Sequence, residues 1–128
     1  MPPKPLPEPG PITNIARIVA PVDSNSQGTL FGGEAMRFMD EAAAIAAIRY
    51  TRGSVVTAHV DAVDFRHPVP MGALLEASAR VTAVGRTSLV VEVILESEDR
   101  YTAERTITTT GRFVLVAIDD EAHPRRIG

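Results

Sequence analysis

The stretch GGEAMRFMDEAA, residues 32–43, decides the fold because it opens the one convincing helical pattern in the chain. On a helix, Asp40 shares a face with three apolar residues, one four positions before it and two at three and seven positions after it: Met36, Ala43 and Ala47. That face is predicted to be buried. Since an unpaired charge in a dry interior is costly, Asp40 is either satisfied by structural partners or part of a working site.

The helix predicted around this stretch covers residues 33–51. It is rich in alanine and apolar nearly all round, apart from Glu34, Arg37 and Glu41, whose spacing is typical of a solvated ion-pair strip. A helix this apolar is predicted to be covered by other structure. Gly53 is placed to end it.

The segments before the helix are an arm, a strand and a loop. Six of the ten prolines lie in residues 1–11, which predicts an extended or flexible arm. Residues 12–19 are apolar enough for a first strand. Residues 23–33 carry the Asp, Asn, Ser and Gly that are typical of a loop.

Beyond residue 54 the pattern changes to a period of two, which is typical of half-buried strands. The turn at residues 85–87 joins two of these runs. Four long antiparallel strands are predicted, at residues 55–65, 74–84, 88–98 and 101–118.

The order of one strand, one helix and four strands predicts an α+β domain, with a curved antiparallel sheet of about five strands wrapped around one long central helix. This is the hotdog arrangement. We expect the domain to cover residues 12–120 and to be followed by a tail at 121–128. Such a unit leaves a sheet edge and part of its helix uncovered, so a dimer is expected.

Composition excludes several classes of function. The 128 residues carry a net charge of −3 and no long basic run, so nothing favours nucleic acid or an anionic membrane surface. With no cysteine, the chain has no disulfide, no thiol nucleophile and no cysteine-ligated metal. No apolar run is long enough to span a bilayer, and the proline-rich start lacks the apolar core of a signal peptide, so a cytoplasmic location is predicted.

Three features could carry chemistry. Asp40 is a candidate general base or nucleophile. The Gly32-Gly33 pair at the helix start offers backbone N–H groups to a developing oxyanion. Asn25 could orient a water or a carbonyl, although an asparagine in a polar loop is commonly just part of a turn.

Other common sites are poorly supported. The turn Gly85-Arg86-Thr87-Ser88 offers a cation and two hydroxyls to a phosphate, but most hairpin tips bind nothing. The three histidines show no metal-ligand spacing, so no metal is expected. The nucleophile elbow G-x-S-x-G and the dinucleotide motif G-x-G-x-x-G are both absent from the sequence.

Five motifs in order resemble the hotdog-fold acyl-CoA thioesterases, in particular the bacterial YciA-type enzymes and the cytosolic acyl-CoA hydrolases. They are N-x-x-G-x-x-F-G-G at 25–33, M-x-x-M-D at 36–40, V-T-A-x-V-D-x-V-x-F-x-x-P-V at 56–69, G-R-T-S at 85–88 and F-V-x-V-A-x-D at 113–119. The resemblance covers residues 12–120. It implies an acyl-CoA thioester hydrolase that needs no cofactor, because CoA is part of the substrate.

The resemblance also implies roles for individual residues. Asp40 would be the catalytic carboxylate, Asn25 its partner from the other subunit of a dimer, and the Gly33 amide the donor to the thioester carbonyl. The residues assigned to substrate and CoA are Gly32, Arg66, Arg86, Thr87 and Ser88. Relatives with this motif set are commonly trimers of dimers, so a homohexamer is predicted.

Two alternatives stay open at this point. A hotdog hydratase or dehydratase would pair Asp40 with a histidine, which His59 or His67 could supply only through folding. A non-catalytic acyl-CoA-binding module would bind the same ligand without turnover. The acyl chain length is also open, with Met36, Met39 and Phe65 as candidates to line the tunnel.

Overall fold

The computed structural model describes residues 2–128, and Met1 lies outside the described residues. Within this range one long helix packs on one face of a six-stranded antiparallel sheet. The elements are β1 Lys4–Pro5, β2 Thr13–Ile18, α1 Gly32–Thr51, β3 Val55–Phe65, β4 Leu74–Val84, β5 Ser88–Glu98 and β6 Arg105–Ala117. The sheet order is β1-β4-β5-β6-β3, and β2 also pairs with β4.

The core lies between α1 and the face of the sheet on which the helix packs. The buried face of α1 consists of small residues and two large ones: Ala35, Phe38, Met39, Ala42, Ala43, Ala46 and Ala47. Every second residue of the three central strands packs against it, from Leu75 in β4 to Leu115 in β6. Because alanine brings the helix axis close to the sheet, the valines and leucines of the strands can fill the layer with few aromatic residues.

Three predicted strands, at residues 55–65, 74–84 and 88–98, are confirmed with the same bounds. The last strand begins at Arg105 and not at residue 101. The preceding residues form the β5–β6 turn, in which the Asp99 carboxylate accepts hydrogen bonds from the backbone N–H groups of Tyr101 (2.8 Å) and Thr102 (2.9 Å). Ala103 in this turn has a left-handed φ of 64°. Alanine rarely adopts this conformation, so the sequence does not predict the turn.

The proline-rich arm is extended and lies along the edge of β4. Lys4 and Pro5 pair with Val84 and Ala83. The arm also donates two backbone hydrogen bonds to β4, from Leu6 to the Thr82 carbonyl and from Gly10 to the Val81 carbonyl, both at 2.9 Å. Part of the predicted flexible arm is therefore the sixth strand of the sheet. The domain boundaries at residues 12 and 120 stay a prediction.

The helix ends at Thr51, as predicted, but the left-handed residue that terminates it is Arg52 and not Gly53. Arg52 adopts the left-handed conformation (φ 53°) and its N–H bonds to the Ile48 carbonyl. Gly53 is needed for another reason: a Cβ there would lie 2.4 Å from Nη2 of Arg125 in the C-terminal segment. That segment packs back on the sheet, where Ile127 N–H bonds to the Arg86 carbonyl at 2.8 Å.

Strand β3 is an open edge of the sheet. Most of its residues are exposed and it pairs on one side alone, with β6. Its register is interrupted between Thr57 and His59 and again between Asp61 and Asp64, where Ala62 has a left-handed φ of 52°. Bulges of this kind bend an edge strand and re-aim its side chains, and they are frequent beside functional sites.

Candidate active site

Asp40 lies at the border of the buried face of α1, beside β3. Its Oδ1 accepts a hydrogen bond of 2.5 Å from the Thr57 hydroxyl. The expectation that Asp40 lies on the buried face is corrected: Ala43 and Ala47 are buried, but Asp40 and Met36 are half-buried. The reason is that β3 is the edge of the sheet, so this flank of the helix is covered on one side alone.

The start of α1 presents unpaired backbone donors. The N-cap residue Phe31 provides no side-chain hydrogen bond, and the first bonded amide of the helix is Ala35, to the Phe31 carbonyl. The N–H groups of Gly32 and Gly33 therefore have no partner within residues 2–128. Both glycines are exposed, and a Cβ at Gly33 would meet nothing within 4 Å. A carbonyl oxygen can approach these amides at the positive end of the helix dipole, where negative charge is stabilised.

A cleft of about 330 Å³ lies against this helix start. Gly32 and Ala35 line it from α1, Phe65 from the end of β3, and Thr109 from β6. The rest of its wall is the loop before α1 and the segment after β3, which includes the predicted CoA residue Arg66. The structure thus brings Gly32, Gly33 and Arg66 to one end of the molecule.

The loop before α1 is fixed by a buried carboxylate. Asp23 accepts hydrogen bonds from Arg17 (2.5 Å) and from the backbone N–H of Ala20 (3.2 Å). The Asp23 carbonyl accepts the Phe31 N–H at 3.0 Å, which sets the direction in which the helix begins. Since Asp23 is 6% exposed, the anchor is shielded from water.

Asn25 lies in this loop with its amide oxygen fully engaged. Oδ1 accepts from the backbone N–H groups of Gln27 (3.0 Å) and Thr29 (3.2 Å) and from the Thr29 hydroxyl (3.1 Å). Three donors around the oxygen fix the orientation of the amide, so Nδ2 is left as the group that can donate. Within residues 2–128 no hydrogen bond joins Asn25 to Asp40.

The Arg86 turn lies at the opposite end of the sheet from the cleft. Ser88 pairs with Val116, which is next to the start of β3, whereas the cleft is at the end of β3. Arg86 is exposed, and the turn is closed by a 2.7 Å hydrogen bond from the Gly85 N–H to the Ser88 carbonyl. The structure of one chain does not bring Arg86, Thr87 and Ser88 to the helix start.

The histidines do not pair with Asp40 in this chain. His59 is two residues from Thr57 but lies across the bulge and contacts Asp61 at 3.5 Å. His67 lines the cleft. Within residues 2–128 no group of three or more His, Asp or Glu side chains is arranged to hold a metal ion. No helix in the described range is long and apolar enough to cross a membrane.

Comparison with known proteins decides the family. The family model of the thioesterase superfamily matches residues 27–104, which contain the later part of the loop, the helix and strands β3 to β5. The chain belongs to the thioesterase superfamily. An uncharacterized acyl-CoA thioester hydrolase of Zymomonas mobilis is 37% identical over 87% of this chain and 75% of its own length.

Solved thioesterase structures confirm the hotdog fold. A hexameric acyl-CoA thioesterase in its apo form has a TM-score of 0.87 and 40% identity, covering 91% of this chain and 74% of its own. The acyl-CoA hydrolase of Staphylococcus aureus, in complex with butyryl coenzyme A and coenzyme A, has a TM-score of 0.85 and 34% identity, covering 91% of this chain and 71% of its own.

Alanine variants of the S. aureus thioesterase have also been solved. They replace an asparagine, an aspartate fifteen positions later and a threonine seventeen positions after that. In this thioesterase-superfamily chain, Asn25, Asp40 and Thr57 have the same residue types at the same two spacings.

Thr57 is the residue of the site that sequence reasoning missed. It stands in the V-T-A motif at 56–58, but a threonine in a strand is ordinary and its period-two position gave no separate signal. No sequence signal marks it, because its place depends on the strand register: Thr57 pairs with Leu115, which is buried in the core beneath α1, and so lies on the helix side of the sheet.

Proposed function

We propose that this thioesterase-superfamily chain is an acyl-CoA thioester hydrolase in which Asp40 is the catalytic carboxylate. The observation that carries the proposal is the 2.5 Å hydrogen bond between Thr57 and Asp40 on a helix whose first amides are free. The matching asparagine, aspartate and threonine of the S. aureus hydrolase support the same assignment.

The reaction needs few groups because a thioester is already reactive. In the general-base route, Asp40 accepts a proton from water while the water oxygen bonds to the carbonyl carbon. The Gly33 N–H stabilises the oxyanion that forms. The C–S bond then breaks, and CoA leaves as a thiolate that takes up the proton. In the nucleophilic route, Asp40 attacks the carbonyl carbon itself, the C–S bond breaks and CoA leaves as a thiolate, which takes up a proton. Water then cleaves the resulting mixed anhydride, releasing the acid and restoring the Asp40 carboxylate.

The spacing along the helix bears on where the substrate lies. Asp40 and Gly33 are seven residues apart, or about 10 Å of helix rise. One reacting atom cannot touch both groups, so a water fits between Asp40 and a carbonyl held at Gly33, or the amide comes from the partner subunit. The Asp40 side chain tilts toward the helix start, which shortens the gap.

A dimer is proposed as the minimal active unit. The unpaired edge of β3, with Thr57 on it, offers a surface on which two sheets can join. Asn25, whose free Nδ2 finds no partner near Asp40 in its own chain, would meet Asp40 of the other subunit. A trimer of such dimers is proposed because a solved relative is hexameric. Arg86, Thr87 and Ser88 would then reach the CoA nucleotide of a neighbouring subunit.

The hydrolase is proposed to act in the cytoplasm and without a cofactor. The hydratase alternative is less well supported, since His59 contacts Asp61 and not Asp40. A non-catalytic acyl-CoA-binding module and a hydrolase are distinguished by whether the chain releases free CoA from acyl-CoA.

The test is free-thiol release. The purified chain is incubated with acyl-CoA substrates from two to eighteen carbons in the presence of a thiol reagent, and binding of the same substrates is measured by calorimetry. Turnover that depends on Asp40 supports the hydrolase. Tight binding without thiol release would contradict it and leave the binding module.

A further inference from the structure

The loop before α1 carries two of the proposed active-site groups, and one backbone pair holds both. The Asp23 carbonyl accepts the Phe31 N–H at 3.0 Å. Asn25 follows Asp23 by two residues. Gly33 follows Phe31 by two residues, so the orientation of this pair sets where both groups lie. Beyond the pair the loop is closed a second time, where the Asn25 N–H bonds to the Thr29 carbonyl at 2.8 Å.

The start of the helix is held mainly by backbone hydrogen bonds. The N-cap residue Phe31 provides no side-chain hydrogen bond. A Cβ at Gly33 would meet nothing within 4 Å, so packing does not fix this glycine. A second backbone bond at this end runs from the Leu30 N–H to the Val69 carbonyl at 2.8 Å. The direction of the free helix amides therefore depends on this bond and on the bond from Phe31 to Asp23.

The side chain of Asp23 fixes the pair from the other side. Its carboxylate accepts hydrogen bonds from the Arg17 guanidinium at 2.5 Å and from the Ala20 N–H at 3.2 Å. Arg17 in turn lies 5.8 Å from the centre of the Phe38 ring, which is within the range of a cation–π contact. Phe38 is buried on α1, two residues before Asp40. One ion pair thus joins β2, the loop and the helix that carries Asp40.

The position of Arg17 favours a role in orientation over one in stability. Arg17 pairs with the buried Leu75 and so lies on the side of β2 that faces the core. Replacing a buried ion pair by apolar residues of similar volume is often neutral or stabilising, so stability alone does not require charges here. An apolar contact has no preferred direction, whereas a carboxylate held by a guanidinium and a backbone N–H does.

We propose that Asp23, held by Arg17, is a positioning residue of the active site. Its ion pair fixes the backbone pair with Phe31, which directs the Gly33 N–H at the thioester carbonyl and presents the Asn25 amide. This inference rests on the proposed hydrolase function. It assigns to Asp23 and Arg17 no contact with the substrate. Because a misdirected amide loses its bond mainly to the oxyanion, which forms only after attack, kcat should fall while KM stays almost unchanged.

Asp23→Asn keeps the shape of the side chain and removes its charge. We expect kcat for acyl-CoA to fall about tenfold to a hundredfold, the scale of a misplacement of about 1 Å at a reacting centre. Arg17→Gln should give a loss of the same size. Hydrogen exchange measured by mass spectrometry should become faster in peptides from residues 24–31, while the strands keep their wild-type rates.

The two side chains should act as one unit. In the double variant Arg17→Gln with Asp23→Asn, kcat should be no lower than in the weaker of the two single variants, because both remove the same interaction. Arg17→Lys, which keeps the positive charge, should recover most of the turnover. Losses that add in the double variant would contradict a shared positioning role.

Ile15→Ala is the matched control for general damage. Ile15 lies on the same side of β2, two residues before Arg17, and packs against the core. Its truncation should lower the melting temperature through lost packing. The folded variant should keep the wild-type kcat, because the side chain of Ile15 has no polar group that could hold the loop.

A folded Asp23→Asn enzyme with wild-type kcat would overturn the inference, and so would an equal loss of kcat in Ile15→Ala. If Asp23→Asn does not fold, Arg17→Gln decides in the same way, since the Arg17 side chain is 32% exposed and its loss is more easily tolerated. A wild-type chain that releases no thiol from any acyl-CoA would contradict the hydrolase function itself, a result distinct from these.

Discussion

The Thr57 hydroxyl donates a 2.5 Å hydrogen bond to the Asp40 carboxylate and so joins the central helix to the open edge strand of the sheet. The bond takes up one lone pair of Oδ1 and leaves Oδ2 for a water or a substrate atom. It also fixes the rotamer of a carboxylate that is covered on one side alone. The catalytic proposal can therefore be tested at both ends of this bond.

Asp40→Asn should retain the fold and lower kcat by about two orders of magnitude or more, because an amide can neither accept the proton from water nor attack as a carboxylate does. The measurement is steady-state thiol release. Glu41→Gln is the matched control, since Glu41 is the exposed neighbour on the same helix and should turn over at the wild-type rate. Near wild-type activity in folded Asp40→Asn would remove Asp40 from the mechanism.

Thr57→Val should lower kcat with little change in KM. It removes the hydroxyl but keeps the shape, and a hydrogen bond to a charged acceptor is worth about 1.5–3 kcal/mol, or roughly tenfold to a hundredfold in rate. Thr57→Ser, which restores the donor, should recover most of the loss. A purely structural role would predict that Thr57→Val lowers the melting temperature while the protein that stays folded keeps the wild-type kcat.

Asn25→Ala should be inactive by itself and active when mixed with Asp40→Asn. If the site combines Asn25 of one subunit with Asp40 of the other, a mixed dimer retains one intact site. The two inactive proteins are denatured together, refolded and assayed, and differential tags verify that mixed dimers have formed. Mixed dimers without activity would place both residues in one chain.

Arg86→Ala should raise KM for acyl-CoA and leave hydrolysis of a short thioester without the nucleotide almost unchanged. A guanidinium can hold a phosphate through two hydrogen bonds, and the truncated substrate lacks that phosphate. Arg37→Ala, an exposed arginine on the helix, is the control for loss of positive charge. An equal loss on both substrates would move Arg86 away from the nucleotide.

Asp99→Asn should lower the free energy of unfolding at neutral pH, and the difference from wild type should disappear in acid. Hydrogen bonds from the backbone N–H groups of Thr102 and Tyr101 hold the pKa of Asp99 below its ordinary value of 3.8. Because the folded pKa is the lower one, the stabilisation is present above pH 3.8 and is lost as the pH falls through the folded value. Thermal melts from pH 7 to pH 2 check this, with the exposed Asp120→Asn as control. A constant difference down to pH 2 would rule out the carboxylate as its source.

Much of the fold could be predicted because the strands are half-buried. Strand β4 alternates between buried and half-buried residues along its whole length, and β5 alternates between buried and exposed residues from Val91 to Leu95, so the period indicates both strands. Strand β1 could not be found, since a proline segment carries no such period and pairs with β4 through a few backbone groups. The sequence did not predict that β6 begins as late as Arg105, because the β5–β6 turn before it depends on a left-handed conformation of Ala103.

The site was less accessible to prediction than the fold. The helix period predicts that Asp40 lies near the core. It does not predict that the strand beside Asp40 is the edge of the sheet, and for that reason the residue is only half-buried. The bond to Thr57 depends on the register of β3 with β6, which is interrupted twice beyond Thr57. Roles for Asn25 and Arg86 depend on a second chain, and the pattern of one chain carries no information on that geometry.

The unequal edges of the sheet have a consequence for how far assembly can go. Strand β3 offers eleven residues for pairing, whereas the other edge offers the six residues of β2, flanked by the proline arm. Joining β3 to its own copy uses both long edges at once and produces a closed two-fold pair. Joining β3 to β2 of the next molecule would leave a fresh β3 edge at every step and produce an open-ended fibre. The prolines, which cannot donate the bonds that such a step requires, protect the chain against growth in that direction.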